Sequence, residues 1–193
     1  MNRNQVLPQI ELSADLGALR KVDFCAHQAY QGHGFLSMND LPRVASEASK
    51  VGEGDGFRWK LETHFEASPG SEPRQIMNLE LQGQIHLVCQ RCLKDCSVGL
   101  MEKRRFTLVA SEDEADAFPM EDDRQEPLVA TQQFDVLETM EDEILLSLPL
   151  IPKHPEGTCQ SHSSSFGSEG DETQVSEKPE NPFNILKNMK KNS

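Results

Sequence analysis

Phe57, Trp59, Leu61 and Phe65 alternate with polar residues, and so do Met77, Leu79, Leu81, Ile85 and Leu87. A period of two places every second side chain on the same face, so both runs predict strands with one buried and one wet side. Residues 67–74 include Pro69, Gly70, Ser71 and Pro73, and this turn-rich stretch joins the two strands as antiparallel neighbours. A third strand is expected over residues 98–110, after a cysteine-rich turn.

The pattern then changes period. Val136, Leu137, Met140, Ile144, Leu145 and Leu148 recur at helical spacing, with Asp135 as N-cap, Glu138 at the third position and Pro149 as the stop, which predicts a helix over 136–148. Nearer the N-terminus, residues 15–30 read as helical. Asn39 is the expected N-cap of a short helix that puts Leu41, Val44, Ala45 and Ala48 on one face and ends at Gly52.

Other stretches carry no apolar period. Residues 111–127 hold eight acidic residues and one Arg, and read as a mobile acidic loop. Residues 161–180, rich in Ser, Gly, Glu and Asp, read as a disordered linker. Residues 181–193 form a short amphipathic segment with Phe183, Leu186 and Met189 spaced three apart. The expected architecture is α+β: an antiparallel sheet, open or barrel-like, packed by a few helices within one domain over 1–160. Leu145, Leu148 and the odd-numbered strand residues are expected to hold the core.

Charge sharpens this picture. The formal net charge is -13; residues 1–110 balance 13 Lys and Arg against 13 Asp and Glu, whereas residues 111–193 carry 6 against 19. Such a chain repels a phosphate backbone at long range and attracts basic partners. The longest apolar stretch, residues 144–151, is broken by Ser147 and Pro149, and the first residues show no signal-peptide pattern, so a cytoplasmic protein without a membrane partner is expected.

Five cysteines, an odd number, argue against a disulfide scaffold and leave reduced thiols or a metal site. Cys89 and Cys92 have the spacing at which one turn aims two thiolates at one ion. His154 and Cys159 are the expected second pair for zinc, with Cys96, His162 and His86 as substitutes. Lys103, Arg104 and Arg105, with Arg91 and Lys94 nearby, offer a basic spot for RNA, although consecutive strand residues point to opposite faces. Glu141, Asp142 and Glu143 read as the wet face of a helix. No nucleophile, base and oxyanion grouping emerges, so neither an enzyme nor a small-molecule substrate is expected.

Several landmarks occur in one order: residues 87–93 (Leu-Val-Cys-Gln-Arg-Cys-Leu), residues 141–149 (Glu-Asp-Glu-Ile-Leu-Leu-Ser-Leu-Pro), His154 with Cys159, and Asn181-Pro182-Phe183 with Leu186. From about Gln82 onward the chain closely resembles the YceD family. The resemblance implies a role in the synthesis, processing or stability of the large-subunit ribosomal RNA, in a family whose genes tend to neighbour one for a small large-subunit ribosomal protein. Some members carry a fuller cysteine set suited to zinc. The partner implied is a large-subunit ribosomal protein or pre-ribosomal particle, contacted through Arg91, Phe183 and Leu186; direct binding of the RNA through Lys103, Arg104 and Arg105 is the alternative, and a small zinc-binding protein centred on Cys89 and Cys92 another.

Overall fold

Strands β1 (Gln9–Glu11), β2 (Ala29–Ser37), β3 (Gly56–Glu66), β4 (Arg74–Val88), β5 (Asp95–Val109) and β6 (Glu126–Val129) lie side by side in chain order. The computed structural model describes residues 9–67, 73–119 and 126–159, all within a unit spanning residues 1–160. The predicted linker over 161–180 and the segment 181–193 lie outside the described residues. Helices α1 (Leu16–Leu19), α2 (Pro42–Glu47), α3 (Glu112–Asp116) and α4 (Val136–Leu146) complete the α+β fold.

The central strands match the alternating pattern. β3 and β4 pair antiparallel, with Trp59 opposite Leu81 and Leu61 opposite Leu79, and β4 continues antiparallel into β5. The sheet as a whole is mixed, because β1 runs parallel to β2 and β6 parallel to β5. It stays open: the outermost strands β1 and β6 do not pair, so it is no barrel.

Side-chain parity differs between strands. Phe57, Trp59, Leu61, Met77, Leu79, Leu81, Ile85 and Leu87 are buried as the odd-number expectation has it. On β5 the even residues join that face, since Cys96 lies opposite Leu87 and Phe106 opposite Met77. The Cys-rich turn over residues 89–94 has an even number of residues, which sets odd positions of β4 opposite even positions of β5. β5 also starts at Asp95, three residues before the expected point, because its first residues pair with Leu87 and Val88.

Val136, Leu137, Met140 and Ile144 of α4 are buried in the same cluster as the strand residues, as are Leu41, just before α2, and Val44 within it. Leu145 and Leu148 pack against it only partly buried. Each large apolar side chain removed from water contributes about 2 kcal/mol. Asp135 caps α4 by accepting the Glu138 N–H at 2.8 Å, as predicted. The helix ends at Leu146, two residues short of the expected limit, with Ser147 as C-cap.

Three local expectations are corrected. Residues 15–30 form one turn of α-helix and a 3-10 turn at Phe24–Ala26 before β2 begins at Ala29. Asp23 accepts the Cys25 N–H, and His27 adopts a left-handed conformation (φ 49°), which stops helix propagation. Asn39 is not the cap of α2: Ser37 and Asp40 form a capping box around a 3-10 turn, and Pro42 opens the helix. The expected acidic loop contains α3, capped by Ser111 with acidic residues in its first turn, where the helix dipole favours them, and then β6.

Candidate metal centre

Residues 89–94 turn the chain from β4 into β5. Leu93 donates its N–H to the Cys89 carbonyl, and Cys89 donates its own to the Lys94 carbonyl, both at 2.8 Å. Leu93 takes a left-handed conformation (φ 57°) to close the turn. The tight hairpin brings Cys89 and Cys92 to one side, both buried. The chain after α4 returns to this point, where Gln90 donates its N–H to the Pro152 carbonyl at 2.9 Å.

His154 and Cys159 arrive on that returning segment. Gly157 adopts positive φ (81°), and Thr158 donates to the Pro155 carbonyl, so a second turn folds Cys159 back towards His154. Cys89 Sγ lies 3.6 Å from Cys159 Sγ, and His154 Nδ1 lies 3.5 Å from the sulfurs of both Cys92 and Cys159. All four ligand atoms fall within 4.8 Å of one another. A tetrahedral zinc ion with ordinary bond lengths sets sulfur atoms about 3.8 Å apart and sulfur from nitrogen about 3.6 Å. The three short separations therefore match a zinc tetrahedron, and none of the others exceeds 4.8 Å.

The surroundings suit the same ion. His154 Nε2 lies 2.9 Å from the Asp95 carbonyl, which accepts only a hydrogen bond, so Nε2 carries the proton and Nδ1 turns its lone pair to the sulfurs. Burial pushes the Cys89 thiol up, but backbone N–H groups of His154, Arg91 and Cys92, with a hydrogen bond from Cys159, outweigh it and take the thiol down to about 5. Burial, then the bonds to Cys89 and Cys92, push Cys159 up. In the metal-free cluster Cys89 holds the negative charge and Cys159 the proton.

The sequence-predicted ligand set is thus brought together in full. The substitutes are not part of it: Cys96 is buried on the neighbouring strand, its thiol pushed up by burial and by the charge on Cys89. His86 faces Asp95 and Asp55 at 3.2 and 3.7 Å instead. His162 lies outside the described residues.

The basic run is not gathered into one patch. Lys103 pairs with Glu80 at 3.0 Å and Arg105 with Glu66 at 2.7 Å on the outer face, while Arg104 turns to the core face and meets Glu143 at 2.7 Å. Arg91 is exposed at the tip of the cysteine turn. Phe183 and Leu186 lie outside the described residues.

The acidic triplet of α4 corrects the expectation of a wet face. Glu141 and Glu143 are both buried. Glu141 accepts the backbone N–H of Arg43 at 2.6 Å and of Val44 at 3.3 Å, which caps α2 from another helix. Periodicity could not reveal this, since Glu141 and Glu143 look like solvent-facing residues until α2 and β5 are placed beside them.

A family model described as "Large ribosomal RNA subunit accumulation protein YceD" matches residues 77–190. The chain belongs to the YceD family. A relative from Haemophilus influenzae, named Large ribosomal RNA subunit accumulation protein YceD, is 30% identical over 161 residues, covering 81% of this chain and 86% of the relative. No solved structure matches the chain. The span matched to the YceD family contains all four residues of the Cys/His centre together with α4 and both buried glutamates. No helix among the described residues is long and apolar enough to cross a membrane.

Proposed function

We propose that the protein is a cytoplasmic, non-enzymatic factor that supports accumulation of the large-subunit ribosomal RNA by binding a large-subunit ribosomal protein or an assembly intermediate. The observation that carries this reading is membership of the YceD family, with a relative bearing that name aligned along 81% of the chain. The net charge of -13 favours a basic partner, and ribosomal proteins have that character. Arg91, Phe183 and Leu186 are the proposed contacts.

Cys89, Cys92, His154 and Cys159 would hold zinc. A closed set of four protein ligands leaves no position for substrate or water, so the ion would stabilise the fold and supply no catalysis. It would fasten the segment after α4 to the turn between β4 and β5. This fits a binding module whose surface must keep its shape.

The test is affinity purification of the tagged protein from its own cells at low and high salt, with bound protein, RNA and metal identified. A large-subunit ribosomal protein or precursor particle, with one zinc per chain, is the expected result. Recovery of neither, together with an unchanged level of large-subunit RNA after gene deletion, would overturn the reading.

A further inference from the structure

The buried strand residues share one cluster with residues of α1, α2 and α4, so these helices cover one face of the sheet. On the opposite face, strand pairing sets Phe35 opposite Arg58, Arg58 opposite Gln82, and Gln82 opposite Met101. These four side chains form a row across β2 to β5, about 14 Å long at ordinary strand spacing. All are exposed, Phe35 to 51% and Met101 to 65%.

The row has an unusual composition for a solvated sheet face. A Cβ built on Gly56 would stand 2.7 Å from Cζ of Phe35, so the ring lies against a residue without a side chain and has room to lie low on the sheet. Gly99, further along the same flank, adds no side chain, and Gln84 is exposed between them. Around the row the cations are paired: Lys60 with Glu62, Lys103 with Glu80, Arg105 with Glu66. Arg58 has no carboxylate partner among the described residues. An unneutralised guanidinium beside an open aromatic ring is thus held at the centre of the face.

We propose that this open face binds single-stranded RNA. Phe35 and Arg58 offer planar groups on which unpaired bases stack, Arg58 adds charge for the phosphate, and the amides of Gln82 and Gln84 carry both donor and acceptor for base edges. A duplex keeps its bases stacked and cannot use such a platform. A protein partner is less well matched, because the two apolar residues stand at opposite ends of the row, separated by charge and amide instead of forming an apolar centre. The proposal deepens the ribosomal reading above and rests on it for the choice of RNA over DNA.

The experiment measures polarisation of a labelled single-stranded RNA about 12 nucleotides long, of mixed sequence, against the same sequence as a duplex, with the full metal-loaded chain at two salt concentrations. Single strands bind better than duplex. Phe35→Ala weakens binding about ten-fold and Phe35→Trp retains it, a result that mere support of Gly56 does not predict. Arg58→Gln weakens binding and flattens its salt dependence, whereas the same change at Lys21, an exposed cation just past α1 and outside the row, alters neither. Circular dichroism melting checks that the variants are folded.

The proposal is overturned if the wild-type chain binds no RNA, or if Phe35→Ala and Arg58→Gln bind as well as wild type. It is also overturned if these variants keep RNA binding and lose a ribosomal protein instead. Gene deletion separates the two readings. If large-subunit RNA falls on deletion while the purified chain binds no RNA, the platform fails alone; if RNA binding follows the expected variant pattern while large-subunit RNA is unaffected, the platform stands and the ribosomal reading fails.

Discussion

Glu141, on α4, accepts both the backbone N–H of Arg43 at 2.6 Å and its Nε at 3.0 Å. One buried carboxylate thus caps α2, which has no cap of its own, and ties two helices together over the sheet. Replacement by Ala orphans two N–H groups and leaves the Arg43 guanidinium with Asp142 and the Glu138 carbonyl. Glu141→Ala is expected to lose about 3 kcal/mol in urea denaturation, since buried unmatched donors each cost about 1–3 kcal/mol. Glu141→Asp should lose much of the same, because the shorter chain cannot reach α2.

Glu143 behaves differently with pH. Burial raises its pKa, and the attraction of Arg104 offsets this only in part. The contact at 2.7 Å is an ion contact, not an aligned hydrogen bond, since neither atom finds a hydrogen-bond partner by direction. With the folded pKa above the unfolded one, ionised Glu143 costs stability at neutral pH, and the cost is relieved as pH falls through the folded value. Wild type should therefore gain stability relative to Glu143→Gln as pH falls from about 7 towards the ordinary carboxylate range, measured by chemical denaturation across that window.

Metal content gives a third prediction. The purified protein is expected to carry one zinc per chain by elemental analysis, and Cys92→Ser or His154→Ala should lose it, whereas Cys96→Ala should keep it. With free zinc about 1,000-fold above Kd, the loaded form is about 4 kcal/mol more stable than the chelated form. Equal melting temperatures with and without chelator would remove the structural role.

The metal-free protein should show one acidic thiol. Cys89 ionises at about 5 against an ordinary value of 9.0, while Cys159 and Cys96 are raised. A depressed pKa gives stability that is complete above the unfolded value and is lost as pH falls towards about 5. Thiolate absorbance in the ultraviolet should titrate near that value and vanish in Cys89→Ser, which should also lose this part of the pH dependence.

Gly83 tests the sheet itself. A Cβ there would stand 2.2 Å from the Gly56 carbonyl oxygen and 2.6 Å from Phe57 Cδ1. Since backbone is the obstacle, Gly83→Ala should cost about 3 kcal/mol, at the upper end of overpacking effects, with a matching fall in the urea midpoint.

By itself the sequence determined the local periods and the chemistry of the ligands. The alternation from Phe57 to Leu87 specified β3 and β4, and Asp135 with the stripe behind it specified α4, because each signal lies within one element and depends only on its own period and cap. The pair Cys89 and Cys92 was legible for the same reason, being three residues apart in one turn.

Tertiary structure decided whatever needed a partner distant in the chain. β1 and β6 are too short to carry a period and exist by pairing with β2 and β5. The even parity of β5 followed from the turn that precedes it, and this sent Arg104 inward to Glu143 while Lys103 and Arg105 faced out. Glu141 became a cap only when α2 was laid against α4. The centre closed only because the chain after Pro149 returns to the cysteine turn, bringing His154 and Cys159 across more than sixty positions to within bonding range of one ion. A charged or polar residue in a local pattern reads as solvated by default, and only the elements packed around it determine whether it is wet, paired or a ligand.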